Sequence, residues 1–124
     1  MDSGAHGVIV PMVNSSELAE QAVQATKYPP KGNRSIGLAR AQRYGVGFEE
    51  YFEWQQENTI VVVQIEHIDG VVNLEDIFSV PGVDAYITGP YDLSGSLGAP
   101  GDFDSPDFLE AMRQIKAIAK KFNM

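Results

Sequence analysis

Apolar positions along this chain follow two periods, and the longest apolar run sets the frame for the rest. Ile60 to Glu66 reads IVVVQIE, seven residues of which five are β-branched. It is too short to cross a membrane and too apolar for a strand with one wet face. It predicts a strand buried on both faces, as in a parallel sheet covered by helices. Two shorter runs of the same kind are Val8 to Val10, closed by Pro11, and Asp84 to Thr88. Between them the period changes to that of a helix. Leu18, Ala19, Ala22 and Val23 form one stripe after the candidate caps Ser15 and Ser16, with Glu17 in the first turn where the helix dipole favours it. Phe48, Tyr51, Phe52 and Trp54 cluster along a second helix, and aromatics at this spacing read as core or interface. A third segment, from Asp69 to Phe78, reads as a crossover helix broken at Asn73, whose side chain would cap the second turn. Ser105-Pro106-Asp107 opens the last helix, along which Phe108, Met112, Ile115, Ala119 and Phe122 recur.

These runs place strands near residues 8–11, 60–66 and 84–89, and helices near 16–26, 48–57, 69–78 and 106–122. Strand, helix, strand is a right-handed crossover that brings the carboxyl ends of both strands to one edge of a parallel sheet, where ligands bind in open sheets and barrels. At that edge Gln64 and Glu66, two apart, project from one face, because side chains alternate along a strand. Asp92 follows the next strand and converges on Glu66. Two carboxylates about 4 Å apart near a surface repel by roughly 4 kcal/mol, so the pair needs a shared proton or a cation. Oxygen ligands favour Mg²⁺ or Mn²⁺ over zinc.

Other polar residues are read more plainly. His6 precedes a strand, at its amino end, and reads as a structural or solvated histidine. Ser94 and Ser96 read as residues that close the loop after Asp92, with no histidine base near them in sequence. The stretch from Lys27 to Gly47 reads as a long loop carrying five of the nine basic residues. Such a loop is usually functional or an assembly arm, so these charges are expected either to draw an anionic oxo acid or to pair with an acidic neighbouring subunit.

Composition narrows the function classes. A net charge of -8 and a pI near 4.5 argue against nucleic acid or an anionic membrane as partner. The absence of cysteine removes disulfides and thiolate metal sites and fits a cytoplasmic location. No apolar run approaches a membrane span, and no basic region followed by an apolar one opens the chain. Its 124 residues suffice for a single domain but are about half of the ~250 typical of a (β/α)₈ barrel. A chain that reaches a strand so soon after Met1 reads as one that begins within a fold.

Four sequence words, in register, resemble one family. V-Q-I-E at Val63 to Glu66 and G-V-D-x-x-x-x-G-P-x-D-L-S-x-S-L-G from Gly82 to Gly98 are similar to those of the metal-dependent pyruvate aldolases of the HpcH/HpaI aldolase/citrate lyase superfamily. Upstream, D-S-G-A-x-G-V-I-V-P-M-V from Asp2 and K-Y-P-P-x-G-x-R-S-x-G from Lys27 agree in the same order. The resemblance implies an α/β fold: a partial TIM (β/α)₈ barrel of about three to four βα units, taken from its middle. It implies a class II aldolase that cleaves 4-hydroxy-2-oxo acids to pyruvate and an aldehyde, as a homo-oligomer. Glu66 and Asp92 would hold Mg²⁺ or Mn²⁺, with Co²⁺ a third option. Gln64 and the backbone N–H groups of Tyr91 and Asp92 would bind the 2-oxo acid. The basic loop would lie near the site's mouth and at subunit contacts. Asp2 would support a histidine base carried by an earlier strand. That histidine and an enolate-stabilising arginine belong before Asp2, so this stretch is expected to encode the metal and 2-oxo-acid half of the site. Alternatives are a binding half-barrel without turnover, a self-associating half-barrel with a vestigial site, and a citrate-lyase-like acyl-CoA ester lyase.

Overall fold

The computed structural model describes all residues from Met1 to Met124. Three strands, β1 (Gly7–Val10), β2 (Ile60–Ile65) and β3 (Ala85–Thr88), form one parallel sheet in the order β1-β2-β3. The register pairs Val10 with Val63 and Ile65 with Thr88, so the carboxyl ends of all three strands lie along one edge.

Helices occupy one side of this sheet. Helix α1 (Ser16–Thr26) begins at Ser15, whose hydroxyl accepts from the Leu18 N–H. It buries Ala19, Ala22 and Val23, while Leu18, expected on the same stripe, stays exposed. Helix α2 (Phe48–Asn58) leads into β2, and α3 (Ile68–Val72) and α4 (Leu74–Phe78) together make the crossover to β3. The chain breaks at Asn73 as expected, but the Asn73 side chain caps nothing. It donates instead to the Asn14 carbonyl at 2.9 Å, tying the crossover to the loop after β1. Helix α6 (Pro106–Phe122) starts from the Ser105 cap and buries Phe108, Ala111, Ile115 and Ala119 against the same core.

Two expectations are corrected. β2 is not buried on both faces: Val61, Val63 and Ile65 are fully buried, whereas Ile60 is 50% exposed and Val62 and Gln64 are half-buried. Ile9 and Ile87, in register with Val62 and Gln64, are likewise exposed on that open face. The segment after Thr88, read as a loop, is a short helix, α5 (Pro90–Ser96), with proline at its first position and Asp92 in its first turn.

Residues 27–47 hold a 3₁₀ turn, Arg40–Gly45, and pack over the amino ends of the strands. There Ile60 N–H donates to His6 O and Ala41 N–H to Asp2 O. Tyr28 is fully buried, stacked on Phe52 with ring centroids 6.0 Å apart and hydrogen-bonded by the buried Gln42 amide. No helix is long and apolar enough to cross a membrane.

Candidate functional site

The carboxyl edge of the sheet carries a cleft of about 420 Å³ lined by Met12, Glu66, His67, Tyr91, Asp92, Gly95, Ser96 and Pro100. They come to it from the loop after β1, the end of β2, α5 and the turn beyond it. Glu66 is the first residue beyond β2, and continues the face on which Gln64 sits. It is only 3% exposed. The Met12 N–H donates to its Oε1 at 2.9 Å, and the Gln64 side-chain amide donates to its Oε2 at 2.5 Å. Met12 adopts a left-handed conformation, φ 55°, just past β1. Such a backbone costs a non-glycine residue on the order of 1–3 kcal/mol and persists where its surroundings fix it, as at functional sites.

Asp92 reaches the same cleft from the first turn of α5, and is exposed there. No lysine, arginine or histidine forms an ion pair with Glu66 or Asp92. A buried carboxylate without a cationic partner is costly to desolvate. Two acids therefore face one cleft, one of them buried, and nothing on the chain neutralises either. All-oxygen donors of this kind suit a hard divalent cation. No group of three or more His, Cys, Asp or Glu side chains converges to hold a metal, so an ion here would draw its other ligands from water and substrate.

The structure brings Gln64, Glu66, Tyr91 and Asp92 to one edge. It leaves Asp2 at the other. Asp2 precedes β1 and forms an ion pair with Arg34, a buried guanidinium that also donates to Tyr51 Oη at 3.0 Å and lies 4.5 Å from the centre of the Tyr28 ring. The six steps from Ile60 to Glu66 cover about 20 Å at ~3.3 Å per residue, so the two ends of β2 are well apart. Burial lowers the Arg34 pKa, but the Asp2 and Tyr51 hydrogen bonds outweigh it and hold the pKa above the usual arginine value. The basic loop is accordingly not beside the cleft, as the resemblance implied, but at the opposite pole. Of its charges Arg34 is paired to Asp2, Lys31 to Glu57 and Arg43 to Glu50.

A second hollow, about 300 Å³, lies at that pole among His6, Arg43, Glu50, Tyr51 and Trp54. Its two charged groups pair with each other at 2.5 Å, and His6 packs on Trp54 with centroids 4.7 Å apart. It thus offers aromatic surface and a satisfied ion pair. Ser94 and Ser96 serve structure, as expected: Ser94 Oγ donates to Tyr91 O and accepts from Gly101 N–H, and Ser96 Oγ donates to Leu93 O and accepts from Ile68 N–H.

His67 and Gly89 are among the residues of the site that escaped the sequence reading. His67 lines the cleft beside Glu66, although only oxygen ligands were expected there, and its adjacency to Glu66 was a visible signal. Gly89, the cap residue of α5, lies so near Glu66 that a β-carbon on it would stand 2.5 Å from Oε2. The G-P word contained it, but the close approach has no signal in sequence.

Comparison with known proteins adds an independent line. The family model for HpcH/HpaI aldolase/citrate lyase matches residues 1–124. A 2-keto-3-deoxy-L-rhamnonate aldolase of Klebsiella pneumoniae is 39% identical over 126 aligned residues, covering 97% of this chain and 47% of that protein. A hydroxypyruvate/pyruvate aldolase of Chromohalobacter salexigens is 42% identical over 115, covering 91% of this chain and 45% of that one. In fold, the chain superposes with TM-score 0.91 and 34% identity on a crystal structure of an HpcH/HpaI aldolase/citrate lyase family protein from Burkholderia cenocepacia, covering 98% of this chain and 49% of that one. The chain spans about half the length of the curated relatives it matches, and its three-stranded sheet with helices is part of a TIM-type barrel.

Proposed function

Because this chain belongs to the HpcH/HpaI aldolase/citrate lyase family, we propose that its cleft is the metal and 2-oxo-acid half of a class II aldolase site, serving reversible cleavage of 4-hydroxy-2-oxo acids to pyruvate and an aldehyde. The observation that carries this reading is Glu66, almost fully buried, without a cationic partner, and sharing the cleft with Asp92. The family is in general divalent-metal dependent, and the donor set here suits Mg²⁺ or Mn²⁺, with Co²⁺ a third candidate. When bound, such an ion supplies Lewis-acid stabilisation of enolate charge.

The chain's own residues would do the positioning. Glu66 is held by the Met12 N–H and the Gln64 amide, so its carboxylate is fixed at the wall of the cleft that Asp92 also lines. Gln64 spends one amide hydrogen on Glu66 and keeps the other for the 2-oxo acid. The N–H groups of Tyr91 and Asp92, in the first turn of α5, have no partner within the helix and are available to its carboxylate. Asp2, paired with Arg34 at the far pole, has no part in this half-site. Turnover further requires a proton-transfer agent, and His6 stands at the wrong end of β1 to serve. Self-association is proposed through the exposed Ile36, Leu38, Tyr44 and Val46 of the basic loop.

A melting titration tests the reading. Mg²⁺ or Mn²⁺ together with pyruvate or oxalate is expected to raise the Tm of the wild type. A ligand at a hundred times its Kd adds about 2.7 kcal/mol. Glu66→Gln should lose that rise, measured against its own Tm without metal, since it removes the charge that would hold the ion while keeping one acceptor oxygen. A wild type unmoved by metal and pyruvate, or a Glu66→Gln variant stabilised as strongly, ends the proposal. Pyruvate release from a 4-hydroxy-2-oxo acid then separates an aldolase from a binder.

A further inference from the structure

The cleft has a donor that the half-site does not use. His67 follows Glu66 and lines the same wall, with its side chain one-third exposed. Its ring is fixed by its own backbone role: it is the cap residue of α3, and Nδ1 accepts from the Asp69 N–H at 3.2 Å. A ring nitrogen that accepts carries no proton, which leaves the ring hydrogen on Nε2; the Asp69 carboxylate lies 3.4 Å from Nδ1. That N–H has no partner within the chain.

The other lining groups leave little competition. Met12, Gly95 and Pro100 have no side-chain donor, Asp92 is an acceptor when ionised, and both Glu66 oxygens are engaged. The Ser96 hydroxyl spends its hydrogen on Leu93 O. Tyr91 is 70% exposed, its ring edge-on to Phe103 at 5.1 Å. The side-chain donors left at the cleft are the hydroxyl of Tyr91, on an exposed side chain, and His67 Nε2–H, next to the buried acid.

Resting on the half-site reading above, we propose that His67 recognises the aldehyde-derived end of the substrate. A 2-oxo acid held through its carboxylate and keto oxygens must project its third and fourth carbons away from Glu66 and Asp92 into the remaining volume of the cleft. His67 Nε2–H then donates to the oxygen on the fourth carbon, which is the hydroxyl of the aldol and the carbonyl oxygen of the aldehyde. Pyruvate lacks that atom. His67 therefore discriminates between the two ligand classes without touching the chelating end.

The test measures affinities by calorimetry on the Mg²⁺-loaded chain, with pyruvate and with a 4-hydroxy-2-oxo acid as probes. His67→Asn keeps a side chain able to cap α3 but too short to reach the cleft; His67→Gln restores reach and an N–H. Expected is about a tenfold loss of 4-hydroxy-2-oxo-acid affinity in His67→Asn, the scale of one hydrogen bond, with pyruvate affinity within about twofold of the wild type and partial recovery in His67→Gln. Unchanged affinity for both ligands, or equal loss of both, overturns the inference and leaves the metal half-site standing. A wild type that binds neither ligand overturns both. Nitrogen-15 NMR of the imidazole gives an independent arm: a proton on Nδ1 in the neutral ring removes the donor and the proposal with it.

Discussion

Gly89 and Glu66 are in such close approach that the backbone of one fixes the side chain of the other. A β-carbon at Gly89 would lie 2.5 Å from Glu66 Oε2, 2.7 Å from Glu66 Cβ and 3.0 Å from Gln64 Nε2. Gly89 sits at φ -101°, a conformation open to any residue, so glycine is required here by space and not by backbone. Its N–H also donates to Ile65 O at 3.1 Å, which ties the start of α5 to the end of β2. The two acids are thereby placed by one joint between adjacent βα units.

Gly89→Ala is accordingly expected to push Glu66 and Gln64 aside. Overpacking of this kind costs about 1–3 kcal/mol, and the displaced carboxylate should weaken Mg²⁺ affinity by about tenfold or more. Denaturant unfolding and calorimetric metal titration of the variant check both numbers. Unaltered metal affinity would show that Glu66 does not need this joint.

The two faces of the sheet should respond unequally to truncation. Ile65 is fully buried and Ile87 is 45% exposed, on opposite sides of neighbouring strands. Ile65→Ala is expected to cost about 2–5 kcal/mol, Ile87→Ala less than about 1 kcal/mol. Urea unfolding measures the difference. Equal costs would mean that the open face is covered in solution.

Tyr28 should make the stability of the loop packing sensitive to alkali. Burial pushes its hydroxyl pKa up from the ordinary value of 10.0, against the opposing pull of Arg34 and the Gln42 hydrogen bond. A raised folded-state value favours the protonated phenol in the native chain, so its contribution is fully present below about pH 10 and is lost as pH climbs through the higher native value. Tyr28→Phe, which leaves the buried Gln42 amide without that partner, is expected to cost about 1–3 kcal/mol near neutrality. The gap between variant and wild type should narrow above about pH 10. Paired urea melts across that interval read it directly, and a constant gap would refute it.

Much of the site was legible before any coordinates. The alternation of a strand puts Gln64 and Glu66 on one face, and the hydrogen bond between them follows from that spacing. The caps Ser15 and Ser105, the break at Asn73 and the crossover to β3 are likewise local signals, visible in a few consecutive residues. Pro90 with Asp92 two residues on was also a helix start, overlooked because α5 is only seven residues long.

Local chemistry thus determined where the chain extends, where it coils, and on which edge an acid ends a strand, because each depends on neighbours within a turn or a pleat. Only the tertiary structure decided that one face of β2 stays open, that Arg34 binds Asp2 at the pole opposite Glu66, and that His67 and Gly89 border the buried carboxylate. Burial, pairing and close approach are set by segments distant in sequence, such as the 32 positions between Asp2 and Arg34 or the 54 between Met12 and Glu66, and no short-range pattern encodes which of them will meet.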